Sequence, residues 1–154
     1  MSPIRLLARP MLAAIFISGG IDALRKPEPR VEMVRKAGLS EPEKLVQINS
    51  AVHVLGGLAL ATGRLPRLSA LALAGSLVPT TYVGHPFWSH EDPQAKAMQQ
   101  IHFFKNLSMI GGLLIAAADT GGRESLPHAA GRVSGRAKKR GAKAAKKAQK
   151  QVSS

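Results

Sequence analysis

The chain has 154 residues, enough for one domain and a tail, and it combines 45% apolar residues with a formal net charge of +13. It has no cysteine, which excludes disulfides, cysteine-ligated zinc or iron–sulfur centres and thiol catalysis within this chain. Nine of its 22 Lys and Arg residues, and no acid, follow residue 131, so the preceding part is only mildly basic.

The first apolar segment covers residues 4–24, and Arg5 and Arg9 interrupt its start. A signal peptide is the alternative interpretation, but no small-residue cleavage site follows the apolar run. We predict a tilted membrane span whose two arginines reach one membrane interface.

Residues 26–44 are charged and mixed in sign, and Pro27 and Pro29 interrupt the preceding helix. We predict a short interfacial helix over Arg30–Ala37, ended by Gly38. The following Ser40–Glu43 has the spacing of a capping box with proline in the first turn, which predicts a new helix start.

Three further apolar segments predict membrane spans at residues 45–63, 66–84 and 98–118. In the third span, Pro66 suits a first helical turn, Pro79 predicts a bend, and the helix is expected to end around Gly84. A soluble bundle is the alternative, but the middle spans carry almost no charged face for water. The expected fold is all-α, a transmembrane four-helix bundle over residues 1–122 with a disordered basic tail over 123–154.

An even number of spans places both chain ends on one side of the membrane. If that side is cytoplasmic, it carries 14 Lys and Arg residues and the other side carries seven. The tail decides this count, and we predict that the N- and C-termini are both cytoplasmic.

Each predicted span carries a stripe of small or polar residues at i, i+4 spacing, which predicts the faces that meet inside the bundle. In chain order the stripes are Ala14, Ser18 and Asp22; Asn49, His53, Gly57 and Ala61; Ala72, Ser76, Thr80 and Gly84; and His102, Lys105 and Asn106.

Successive spans run in opposite directions, so the polar residues near the ends of spans one and three and near the starts of spans two and four lie in the same half of the bundle. This is the half away from both termini. The predicted ligand-binding or polar-core cluster consists of Asp22, Asn49, His53, Tyr82, His85, His102, Lys105 and Asn106. Asp22 is the only acid within a predicted span, so we predict that it pairs with Lys105. The alternative is a polar core that only fixes helix register.

Two histidine pairs suggest other sites. His53 and His102 could be axial haem ligands, although two intramembrane histidines are weak support for that interpretation. His85 and His90 could bind a metal at the membrane surface, but their spacing matches no tight site, and we predict no metal centre.

The basic tail contains nothing that could build a core. We predict that it binds anionic lipid, and nucleic acid binding through the same charges is the alternative. The predicted lipid-binding residues are Arg136, Lys138, Lys139, Arg140, Lys143, Lys146, Lys147 and Lys150.

Several segments together resemble the DoxX family of small bacterial membrane proteins. They are Gly19–Leu24, His53–Leu58, Gly63–Leu65, Gly84–Trp88, His102–Asn106 and Gly111–Leu114, within a similarity that covers Arg5 to Asp119. The resemblance implies a four-span protein of the bacterial inner membrane. Many members carry an acid where His53 stands, and the family is similar to a subunit of a thiosulfate- and quinone-linked oxidoreductase.

From this resemblance we expect an accessory or scaffold subunit of a membrane redox or oxidative-stress system, not an enzyme on its own, with redox proteins as partners. The first alternative is direct binding of a quinone or another small molecule by the polar cluster, and no other cofactor is expected. The second is a small transporter that uses an Asp22–Lys105 pair and oligomerises.

Overall fold

A computed structural model describes residues 3–119, and every regular element within these residues is helical. The elements in chain order are α1 (Pro3–Arg25), α2 (Glu28–Lys36), α3 (Pro42–Ala61), α4 (Pro66–Gly84), a 3-10 turn (Phe87–Ser89) and α5 (Pro93–Ala118). This agrees with the predicted all-α class and with the predicted short helix after the first span. The predicted tail lies outside the described residues.

Proline sets the start of three of these helices. Pro42, Pro66 and Pro93 occupy the first positions of α3, α4 and α5, where the missing N–H needs no partner. The capping box predicted at residues 40–43 is wrong, because Glu41 precedes α3 in a left-handed conformation (φ 53°) and makes no side-chain capping hydrogen bond. The predicted helix start is nevertheless correct, because Pro42 occupies the first turn of α3. Helix α4 ends at Gly84, as predicted, and it includes Pro79, where the bend stays a prediction.

Three of the described helices, α1, α3 and α5, are long and apolar enough to cross a membrane. Helix α4 is not among them. It has 19 residues, but polar residues such as Arg67, Ser76 and Thr80 make it less apolar. The fourth span therefore stays a prediction.

Two glycines let α1 and α3 approach each other closely. A Cβ atom on Gly20 would lie 2.8 Å from Val54 Cγ2 and 3.0 Å from the Cβ of His53. A Cβ atom on Gly57 would lie 2.7 Å from Ile17 Cγ1. Small residues at a helix interface permit such contact between backbones, and here they bring His53 directly against α1.

The apolar core lies in the half of the bundle that contains the start of α1 and the end of α5. Its buried residues are Ala13, Phe16, Leu60, Ala70, Leu73, Ala74, Leu77, Leu113 and Ala117. This is the half that the sequence predicts to be plain and apolar, which leaves the opposite half for polar groups.

The predicted inward stripe of α1 is wrong. The buried residues of α1 are Ala13, Phe16, Gly20 and Ala23, while Ala14, Ser18 and Asp22 are exposed. Successive helical residues are about 100° apart, so a shift of one position turns the stripe away from the neighbouring helices. The predicted face of α3 is correct, since His53 and Gly57 are buried.

The outer surface of the bundle is rich in large apolar side chains. Examples with at least half of their area exposed are Ile48, Leu55, Leu71, Ile101, Leu107 and Ile115. An apolar exterior is costly in water and suits the hydrocarbon of a bilayer. This surface and the three apolar helices are those of a membrane protein.

Polar contacts join α1 and α4 to residues at the end of α5, in the half of the bundle that carries the core. Arg5 Nε and Nη2 donate to the two carboxylate oxygens of Asp119 at 2.8 and 2.9 Å. Arg9 lies 3.7 Å from the same carboxylate, and Arg67 Nε donates to the carbonyl of Ala117 at 2.8 Å. We call these contacts the terminal clasp.

Candidate functional site: a cavity in the polar half of the bundle

A cavity of about 610 Å³ lies in the polar half of the bundle, and all five helices contribute to its wall. Met33 and Lys105 line it and are also exposed, so the cavity reaches the protein surface. Most of the wall is apolar. The polar and charged residues that line it are Arg30, Asn49, Ser50, His53, Thr80, His85, Lys105 and Asn106.

Asn49 connects α3 to α4 at the cavity wall. Its Oδ1 accepts a hydrogen bond of 2.6 Å from Ser76 Oγ and a longer one, 3.4 Å, from Thr80 Oγ1. Thr80 also donates to the carbonyl of Ser76. The side-chain oxygen of Asn49 is thus used to hold two helices together.

His53 lies deep in the wall. Its side chain is buried, its ring meets the ring of Phe16 edge-on at 5.3 Å, and its Nε2 has no hydrogen-bond partner among the described residues. An unpaired buried polar group costs about 1–3 kcal/mol, and such groups in native proteins call for an explanation. Since His53 lines a cavity, a bound molecule is one way to supply the missing partner.

Helix α5 contributes two adjacent polar side chains. Asn106 is buried, and its amide makes no hydrogen bond in the part of the chain that the structure describes. Lys105 is exposed, and its Nζ lies 3.3 Å from Nδ1 of His102. The amide and the ammonium therefore both remain available to a molecule in the cavity.

His85 and His102 form a polar layer at the end of the cavity. Their rings stack with centroids 5.1 Å apart, and His85 Nδ1 lies 2.7 Å from Oε1 of Gln99. His85 lines the cavity and His102 does not. A hydrogen-bonded and stacked series therefore runs from Gln99 through both histidines to Lys105.

The predicted pairing of Asp22 with Lys105 is wrong. The carboxylate of Asp22 accepts a hydrogen bond of 2.9 Å from Nη2 of Arg30, and it does not line the cavity. Pro27 and the short helix α2 turn the chain back, which brings Arg30 beside the end of α1. The transporter hypothesis loses the coupling pair on which it rested.

Helix α2 forms one wall of the cavity, although none of its residues belongs to the predicted polar cluster. Pro29, Arg30, Met33 and Val34 all line the cavity, although Val31 is the only buried residue of α2. One signal in the sequence could have identified Arg30. Asp22 lies at the end of an apolar span, and Pro27 predicts a turn that would bring the following Arg30 back towards it.

Tyr82 also lies apart from the cavity. Its side chain is 66% exposed, and its ring packs on Trp88 with centroids 5.3 Å apart. Trp88 in turn meets Phe87 and Phe103. Exposed Tyr and Trp side chains concentrate at membrane interfaces, so this aromatic group is expected to mark the interface near the cavity.

The structure thus brings five of the eight predicted cluster residues to one cavity and leaves three outside it. Those inside are Asn49, His53, His85, Lys105 and Asn106, and those outside are Asp22, Tyr82 and His102. Among residues 3–119, no group of three or more His, Asp or Glu side chains could hold a metal ion.

The family model of DoxX matches residues 4–86, more than half of the chain. The match covers α1 to α4 and confirms the resemblance predicted from the sequence, while α5 with His102 and Lys105 lies beyond it. No curated protein and no solved structure matches the chain.

Proposed function

The chain belongs to the DoxX family, and from that premise we propose that it binds one small amphipathic molecule in the cavity described above. Quinone is the first ligand class to test. In this proposal the protein serves a membrane redox or oxidative-stress system as an accessory subunit that holds the ligand, while partner proteins transfer electrons.

The observation that carries the proposal is the cavity itself. Its volume of about 610 Å³ is in the range of sites for single small molecules, roughly 300–1,000 Å³. Its wall is mainly apolar, with a few polar groups whose hydrogen-bonding capacity is not used within the described residues. A polar core that served only to fix the register of the helices would instead be tightly packed, and its polar groups would all have hydrogen-bond partners.

The side chains suit the carbonyl oxygens of a quinone. Lys105 and the amide of Asn106 are donors on one helix, and His53 can donate from Nε2 in the tautomer that is protonated there. A bound quinone would supply the two-electron redox chemistry, and this chain would supply orientation and hydrogen bonds. The absence of cysteine excludes thiol redox chemistry of the chain's own.

We propose further that the protein lies in the bacterial inner membrane with four spans and both termini in the cytoplasm. Homo-oligomerisation and redox protein partners belong to the same proposal. Large apolar side chains are exposed on several helices, and this surface can contact the helices of another protein as well as lipid.

The test is affinity purification of the full chain in a mild detergent, followed by mass spectrometry for proteins and small molecules and by a quinone assay. A short-chain benzoquinone is then added, and its binding is measured by isothermal titration. We expect a co-purifying lipid-soluble molecule or saturable quinone binding. Recovery of a lone apoprotein that binds no quinone and no other amphiphile would reject the proposal.

A further inference from the structure

The charged residues of the cavity wall all have one sign. Of the charged residues among positions 3–119, Arg30 and Lys105 line the cavity, and no Asp or Glu does. Arg30 has the carboxylate of Asp22 as its partner at 2.9 Å. Lys105 has no carboxylate within 4.0 Å among residues 3–119, and its Nζ contacts only the imidazole of His102.

The position of Lys105 makes this imbalance costly. It lies seven residues into the predicted span of residues 98–118, about 10 Å along that span, in a helix that is apolar and long enough to cross the membrane. An ammonium at such depth normally faces a counter-charge or water. The cavity is where a counter-charge can come from, because Lys105 is part of its wall.

Neutral donors in the same cavity wall as Lys105 favour an oxygen-bearing headgroup. The amide of Asn106 is the next residue along α5, and Nε2 of His53 is buried without a partner in the described part of the chain. The rest of the wall is apolar, with Phe16, Met33 and Met109 as examples. A ligand with one polar group and one apolar chain would therefore match this wall, because the polar group would meet the donors and the chain would meet the apolar residues.

Resting on the proposed function, we propose that the ligand is a single-chain amphiphile whose headgroup carries a negative charge on oxygen, a long-chain carboxylate. The carboxylate binds Lys105, with Arg30 contributing to the positive potential, and the hydrocarbon chain lies along the apolar wall. A neutral quinone would fit the same wall but would leave the ammonium of Lys105 without a counter-charge.

The experiment compares two amphiphiles with the same number of carbon atoms, one with an anionic carboxylate headgroup and one with a neutral hydroxyl headgroup. The full-length protein is reconstituted in nanodiscs of zwitterionic lipid, and equilibrium binding of labelled dodecanoate and labelled dodecanol is measured at mildly alkaline pH. Dodecanoate should bind about ten- to a hundredfold more tightly than dodecanol, the range expected for one hydrogen bond to a charged group. Acetate should not compete, because it lacks the chain.

Variants of Lys105 assign the preference to its charge. Lys105→Met should bind both amphiphiles equally, and Lys105→Arg should retain the preference for dodecanoate. Lys96→Met is the matched control on the same helix, since Lys96 is exposed and does not line the cavity. A thermal scan of each variant checks that it is folded.

The outcomes separate this inference from the function on which it rests. Equal binding of dodecanoate and dodecanol by the unmodified protein, or an unchanged preference in Lys105→Met, overturns the anionic headgroup and leaves ligand binding intact. Competition by acetate as strong as by dodecanoate overturns the requirement for a chain. No binding of either amphiphile or of the benzoquinone overturns the proposed function as well.

Discussion

Asp22 and Arg30 form an ion pair, 2.9 Å between Oδ2 and Nη2, that fastens α2 to the end of α1 across the turn at Pro27. A second ion pair, Arg35 Nη2 with Glu43 Oε1 at 2.7 Å, fastens the other end of α2 to α3. Because α2 is one wall of the cavity, these two contacts help to hold that wall in place. All four side chains are more than a third exposed, so each pair contributes at most about 1 kcal/mol.

The first prediction concerns this wall. Asp22→Asn should accelerate amide hydrogen exchange in α2 and leave the melting temperature almost unchanged, because it removes an exposed ion pair and no buried contact. Glu41→Gln is the control, since its ion pair with Lys44 is local to the start of α3 and involves no residue of α2. Equal exchange rates in α2 for both variants would show that the Asp22–Arg30 pair does not help to hold this wall in place.

The second prediction concerns the contact between α1 and α3. Gly20→Ala should lower the stability by about 1–3 kcal/mol, because the new methyl group would meet Val54, the Cβ of His53 and the carbonyl of Ser50 at 3.0 Å or less. The measurement is thermal unfolding in detergent. Gly111→Ala is the control, since nothing lies within 4 Å of its added Cβ. A melting temperature for Gly20→Ala equal to that of the control would contradict this packing.

The third prediction uses another glycine to fill the cavity. Gly19 lines the cavity, and a Cβ placed on it meets nothing within 4 Å. Gly19→Leu should therefore weaken binding of the benzoquinone and of dodecanoate about tenfold or more by occupying volume, without lowering the melting temperature. Gly75→Leu serves as the control, because its surroundings are equally open and it does not line the cavity. Unaltered affinity in Gly19→Leu would place the ligand elsewhere.

The fourth prediction concerns the hydrogen bond between α3 and α4. A double-mutant cycle with Asn49→Leu and Ser76→Ala should give a coupling free energy of about 0.6 kcal/mol, and at most about 1.7, the range measured for hydrogen bonds between membrane helices. The free energy of unfolding is measured by titration with SDS. Strictly additive effects of the two substitutions would mean that the 2.6 Å contact contributes nothing.

Much of this architecture follows from the sequence because it depends on spacing. The prolines at positions 42, 66 and 93 start helices wherever they can occupy a first turn. Successive long helices run in opposite directions, which brings Asn49, His53 and Lys105 to the same half of the bundle. This does not depend on how each helix is rotated about its own axis. The convergence of polar groups was therefore predictable.

Rotation and local pairing were not predictable in the same way. Helix α1 has small residues on several faces. The sequence alone therefore does not distinguish the predicted stripe that begins at Ala14 from the face that is buried, which contains Phe16. Asp22 was assigned to Lys105 because both lie within predicted spans. The structure instead pairs Asp22 with Arg30, which the turn at Pro27 brings close.

The fifth prediction concerns the tail, which lies outside the described residues. The full chain is held in nanodiscs of zwitterionic lipid and mixed with anionic vesicles. Replacing the eight predicted lipid-binding Lys and Arg residues of the tail by Gln should abolish binding to these vesicles, since each base near the surface contributes about 1 kcal/mol. Vesicle co-flotation measures this binding, and zwitterionic vesicles are the control. If the unmodified chain ignores anionic vesicles and retains DNA in a steeply salt-dependent way, the tail binds nucleic acid instead.

The terminal clasp has a consequence for the order in which the protein is assembled. Arg5 and Asp119 are 114 positions apart, so during synthesis Arg5 is made long before its partner. Helices α1 and α3 can associate early through their glycines, but the ring of helices can close only after α5 has been inserted. Because α5 also supplies Lys105 and Asn106, a nascent chain acquires these two ligand-binding groups in the same late step that joins α1 to the end of α5.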